Sequence, residues 1–160
     1  MKLLSQTILA AALTLGAILS NGQQAQAHEI KIGKLVIHHP WIRQPIGSAS
    51  VAAGYTTIDN TGTEDDTLLS VTVEDVPVVQ IHQMKMDGET MKMGELKDGL
   101  VIPAGKSVEL KPKSYHIMMM NLKSAYDIGE LVNGTMTFAK AGTVKLDFEV
   151  VRPDAEAHKH

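Results

Sequence analysis

Beyond residue 28 the chain alternates apolar and polar residues in short runs, the two-residue period of strands with one face buried, and no stretch keeps a helical period. Ile30 to His38 sets the pattern, with Ile30, Ile32, Lys34, Val36 and His38 on one side. Further runs are Ala53 to Asp59, Thr67 to Val73, Val78 to Met86, Thr90 to Met93, Leu100 to Ile102, Ser107 to Leu110, Tyr115 to Leu122, Thr135 to Ala139 and Val144 to Val151. Turn residues cluster between them at Asn60-Thr61-Gly62, Asp87-Gly88, Asp98-Gly99, Pro103-Ala104-Gly105, Asn133-Gly134 and Ala141-Gly142. Many short strands at this spacing predict an all-β antiparallel sandwich or barrel.

The beginning of the chain follows another pattern. Lys2 supplies a positive start, Ile8 to Leu19 is a mostly apolar run of twelve residues, and Ala25-Gln26-Ala27 is a small-x-small cleavage signal. A membrane span needs roughly 20 apolar residues, and Asn21-Gly22-Gln23-Gln24 interrupts the run before that. The expectation is a secretory signal peptide over 1–27, cleaved after Ala27, with export to the periplasm and no retained membrane span. The rest divides into one domain over 28–152 and a polar, histidine-containing tail over 153–160.

Charge and composition then exclude several classes. The 18 acidic residues outnumber the 15 basic ones, whereas binding nucleic-acid phosphates needs clustered excess Lys and Arg. There is no cysteine. A disulfide framework, thiol redox chemistry, a lipid-modified cysteine and the thiolate of a blue-copper centre are therefore all ruled out as expectations. No Ser/His/Asp order, paired-carboxylate signal or Gly-rich phosphate loop rises above chance, and the protein is expected not to be an enzyme.

What remains conspicuous is methionine. Seven of nine lie between positions 84 and 120, as Met84, Met86, Met91, Met93, Met118, Met119 and Met120, together with His82 and His116. Alternate residues of a strand share a face. His82, Met84 and Met86 therefore project together, as do His116, Met118 and Met120, with Met91 and Met93 a further pair. Met119 falls on the opposite face with Ile117 and reads as core, while Met84, Met86, Met91 and Met120 are divided between ligand, cavity wall and filler. Thioether sulfur is a soft, neutral donor that favours Cu(I), and imidazole suits copper too. Zinc sites instead use Cys, His and carboxylate.

These residues carry a family resemblance. His82, ten residues, Met93, twenty-two residues, His116, one residue, Met118 resembles the signature of the periplasmic PCu(A)C copper chaperones, whose middle spacer is about one residue shorter. The flanks are similar as well: His82-Gln83-Met84-Lys85-Met86-Asp87-Gly88, Gly99-Leu100-Val101-Ile102-Pro103-Ala104-Gly105, Leu110-Lys111-Pro112, Pro40-Trp41-Ile42-Arg43 and Gly54-Tyr55-Thr56-Thr57-Ile58-Asp59-Asn60-Thr61-Gly62. The resemblance implies a cupredoxin-like Greek-key β-barrel holding one Cu(I) through His82, Met93, His116 and Met118. The longer spacer leaves Met91 as the fallback for Met93. It further implies delivery of copper to the CuA centre of cytochrome c oxidase subunit II, alongside a Sco-type thiol protein. Sequestration or copper tolerance would use the same ligands.

The other histidines are weaker candidates. After cleavage, His28 would carry both a free amine and an imidazole, a nitrogen pair suited to Cu(II) and to a copper oxidative enzyme. His158 and His160 form a terminal pair that reads as solvated tail or a secondary Cu(II) site. His38 and His39, before Pro40 at a strand end, read as structural or exposed rather than as ligands. Trp41 is expected in the core, Arg43 paired with a surface carboxylate, and Lys92, Lys97, Lys111 and Lys113 on a solvated rim.

Overall fold

Gly33 breaks the first alternating run. Its φ of 58° lies in the left-handed region that favours glycine, and the chain turns back there so that Ile32 pairs with Leu35. One expected strand is thus two, β1 (Glu29–Ile32) and β2 (Leu35–Arg43). The computed structural model describes residues 29–154; the expected signal peptide, His28, His158 and His160 lie outside the described residues.

The strands that follow are β3 (Val51–Asn60), β4 (Asp66–Val73), β5 (Val78–Asp87), β6 (Thr90–Glu95), β7 (Leu100–Ile102), β8 (Ser107–Leu110), β9 (Tyr115–Met120), β10 (Leu131–Phe138) and β11 (Gly142–Val151). Each overlaps a run expected from alternation. They join one curled sheet in the order β6-β5-β9-β8-β3-β2-β11-β10-β4-β7, with β1 on β2 and β9 also meeting β3. The fold is all-β and cupredoxin-like. Most pairings are antiparallel, while β11 runs parallel to β2, and Leu110 of β8 meets Tyr115 of β9 in a parallel contact. β6 is the outermost strand at its end of the sheet.

Asn133-Gly134, read as a turn, lies inside β10. A Cβ on Gly134 would stand 2.6 Å from the Thr72 carbonyl oxygen and 2.8 Å from the Phe148 ring. The glycine marks a close approach of neighbouring strands, which sequence cannot distinguish from a turn.

Ile37, Ile58, Leu68, Ile102, Ile117, Met119, Met136 and Phe148 are fully buried, each worth about 1.5–3 kcal/mol relative to solvent exposure. Trp41 is buried as expected and lies opposite Tyr55, ring centroids 4.4 Å apart. Arg43 departs from expectation. Its guanidinium sits 5.7 Å from the centre of the Tyr55 ring, and among the described residues no carboxylate pairs with it. His38 is structural, its Nε2 lying 2.9 Å from Asp59.

Candidate metal centre

The site begins with strand alternation in β9. Ile117 and Met119 turn into the core, so His116, Met118 and Met120 take the other face. β5 lies antiparallel alongside, with His82 directly opposite His116 and Gln80 opposite Met118. Directly opposed residues share a face. The two imidazoles meet edge to face with centroids 5.7 Å apart, and both are buried.

The third strand arrives through a hairpin. β5 turns at Gly88-Glu89 into β6, which places Met93 opposite Met84 and Met91 opposite Met86. Sδ of Met93 stands 3.2 Å from Nε2 of His116. Nδ1 of His116 lies 3.1 Å from the Ser114 carbonyl oxygen. That carbonyl only accepts, so Nδ1 carries the proton and Nε2 presents a lone pair to the sulfur. Two lone-pair donors facing each other gain little unless a cation lies between them. Donors sharing one tetrahedral ion at ordinary bond lengths sit roughly 3.5 Å apart, and these are close to that separation.

His82 is arranged in the complementary way. Its Nε2 is 2.9 Å from Oε1 of Gln80, so Nε2–H donates and Nδ1 keeps the lone pair. Nδ1 is buried without a hydrogen-bond partner, which leaves a buried atom with an unspent lone pair on the ring that faces His116. Burial, and then the neighbouring His116, lower the His82 pKa from its ordinary value, against a smaller opposing pull from Glu95. The neutral, ligating form of the ring is thereby favoured.

The arrangement brings His82, Met93 and His116 together and puts Met118 on the same face, half-buried beside Gln80 and Ala53. Met91 pairs with Met86 nearer the hairpin tip, a separation that alternation could not supply because Met91 and Met93 share a face. Met119 is core, as expected. Gln80 was not among the residues singled out; a polar residue two before His82 shares its face, and that was the available signal. Among the described residues no group of three or more His, Cys, Asp or Glu gathers as a zinc or calcium site would require. Nor, among them, is any helix long and apolar enough to cross a membrane.

Residues 35–150 match the LpqE-like lipoprotein family. The chain belongs to the LpqE-like family. A Leifsonia xyli subsp. xyli lipoprotein is 26% identical over 118 residues, covering 74% of this chain and 67% of the relative. An uncharacterized Rickettsia prowazekii protein is 28% identical over 118 residues, 71% of this chain, and the match spans just under two thirds of that relative, 65%. Among solved structures, the copper-bound PCuAC domain from PmoF2 aligns at TM-score 0.67 with 28% identity, over 79% of this chain and 99% of that one. The apo PCuAC domain from PmoF1 aligns at TM-score 0.68 with 28% identity, over 79% and 100%. The PCu(A)C resemblance read from the motif is borne out by the LpqE-like match and these neighbours.

Proposed function

We propose that the protein is an exported, non-enzymatic copper carrier that holds one Cu(I) through His82, Met93, His116 and Met118 and delivers it to the CuA centre of cytochrome c oxidase. The observation that carries this reading is the approach of the His116 Nε2 lone pair and the Met93 sulfur to 3.2 Å; the neighbouring His82 ring adds a buried, unpartnered Nδ1. Two imidazoles and two thioethers are neutral, so a monovalent ion keeps its charge, and soft sulfur selects Cu(I) over hard cations. The similarity to a copper-bound PCuAC domain supports copper as the cargo.

Delivery rather than storage is supported by the exposure of Met93, at 50% of its surface. An acceptor's ligands can displace an exposed thioether without opening the core. With no cysteine in the sequence, the chain can carry the ion but cannot reduce an acceptor disulfide. That division of labour fits a Sco-type thiol protein acting beside it at subunit II. The lipoprotein family match and the leader pattern over 1–27 both support export.

The test is an anaerobic Cu(I) competition titration of wild type, His116→Ala and Met118→Leu, with X-ray absorption on the loaded wild type. One equivalent held by mixed nitrogen and sulfur, and lost in both variants, supports the reading. Binding that is absent, or untouched by the substitutions, refutes it.

A further inference from the structure

The four methionines of the β5–β6 hairpin form two cross-strand pairs on one face, Met84 opposite Met93 and Met86 opposite Met91. The inner pair adjoins the metal centre; the outer pair has no part in it. Met86 lies four positions along the strand from His82, about 14 Å, too far for one ion to bridge. β5 pairs with β9 as far as Gln83, opposite Tyr115, with one further hydrogen bond from the Met84 N–H to the Ser114 carbonyl oxygen. The outer methionines therefore stand on a two-stranded ribbon projecting past the third strand.

Met86 is 61% and Met91 43% exposed. These large apolar side chains therefore do little for the core, and no packing need accounts for two thioethers facing each other at a solvent-exposed tip. Directly opposed positions of an antiparallel pair have Cβ atoms about 5 Å apart. That distance lets two flexible side chains place both sulfurs on one ion. Lys85 and Lys92 oppose one another on the other face of the ribbon, and Lys92 is paired with Asp87, so the thioether face carries no competing cation.

We propose that Met86 and Met91 form a second, all-thioether Cu(I) site, weaker than the His/Met centre and serving as its landing stage. This rests on the copper-carrier reading above. The Met84–Met93 pair, whose Met93 is itself a ligand of the inner centre, lies one strand repeat of about 7 Å from the outer pair. An ion arriving at the tip can exchange one thioether at a time and reach His82 and His116 without returning to water. No electron or proton moves in these exchanges, since each ligand is neutral and the ion stays monovalent.

The test is an anaerobic Cu(I) titration against a graded series of chelators, comparing wild type with Met86→Leu/Met91→Leu and following carbon-13-labelled methionine methyl groups by NMR. Wild type is expected to take two equivalents, the double variant only the tighter one, and the Met86 and Met91 methyls to move with the second equivalent. One equivalent in wild type, bound through nitrogen and sulfur with those two methyls unmoved, overturns the outer site and leaves the inner one standing. A single equivalent lost in the double variant but retained in His116→Ala supports the thioether site and overturns the His/Met centre.

Discussion

Gln80 holds the Nε2–H of His82 through a 2.9 Å hydrogen bond, and this contact decides which imidazole nitrogen keeps its lone pair. The amide acts on the ion only through the ring, fixing its tautomer and rotation. Partners of this kind commonly change metal affinity 10–100-fold when removed. Gln80→Leu is accordingly expected to weaken Cu(I) binding by about 10-fold or more while leaving the stoichiometry of the His/Met centre intact. Gln80→Glu, which keeps an acceptor oxygen, should restore most of the affinity. Nitrogen-15 spectra of the apo protein should show His82 protonated on Nε2 in wild type and mixed in Gln80→Leu; equal affinities in the two proteins would remove Gln80 from the site.

The depressed pKa of His82 has two consequences with opposite signs. Copper binding through this ring should survive below the ordinary imidazole pKa of about 6.5, because a proton competes for it only at lower pH. Folding stability moves the other way. The unfolded chain takes up a proton near pH 6.5 that the folded chain refuses, so the apo protein should lose stability as pH falls from about 6.5 toward the folded pKa. Urea midpoints at pH 7.5 and 5.5 should differ more in wild type than in His82→Gln. An NMR titration placing the apo His82 pKa at or above the ordinary value would contradict both statements.

Peroxide distinguishes surface thioethers from core ones. Met86, Met91 and Met93 are exposed by 43–61%, whereas Met119 and Met136 are fully buried. Sulfoxide should form first on the exposed three and replace a soft donor with a polar one. Mild treatment is expected to weaken Cu(I) binding at an unchanged melting temperature, with peptide mass spectrometry assigning the early oxygen to Met93 and its neighbours. Full retention of copper after Met93 oxidation would exclude it as a ligand.

Asp66 lies away from the copper chemistry and tests the fold alone. It is buried, and burial pushes its pKa up, but the backbone N–H groups of Lys140, Thr67 and Ala141 outweigh that and hold it below the ordinary carboxylate range. The stability it contributes is present above the unfolded pKa near 3.9 and is lost as pH falls through the folded value. Asp66→Ala leaves buried donors unsatisfied and should cost about 2–3 kcal/mol. Chemical denaturation measures this, and the Cu(I) affinity should not change.

Alternation made the strands and the shared face of His82, His116 and Met118 readable, because two-residue periodicity is a local property of the chain. It also placed Met119 in the core. What it could not supply was anything fixed by register between strands. Met91 and Met93 have the same local pattern, and only the pairing of β6 against β5 puts Met93 beside His116 and Met91 toward the tip. Gly33 and Gly134 show the same limit in the backbone, one turning the chain and the other making room for Phe148. Arg43 was expected to find a carboxylate and instead lies over Tyr55, a partner brought near by the β2–β3 pairing rather than by sequence proximity.

The margin strand β6 gives the cage unequal walls. His82, His116 and Met118 stand on strands flanked on both sides, β5 between β6 and β9, and β9 between β5 and its neighbours β3 and β8. Met93 stands on a strand held along one side only. In the proposed four-ligand site, prying β6 outward would strip a single donor and leave a three-coordinate ion still seated, with an open quadrant facing whatever did the prying. Unloading such a site would be a mechanical event at the rim, and the rest of the barrel need not yield for the cargo to leave.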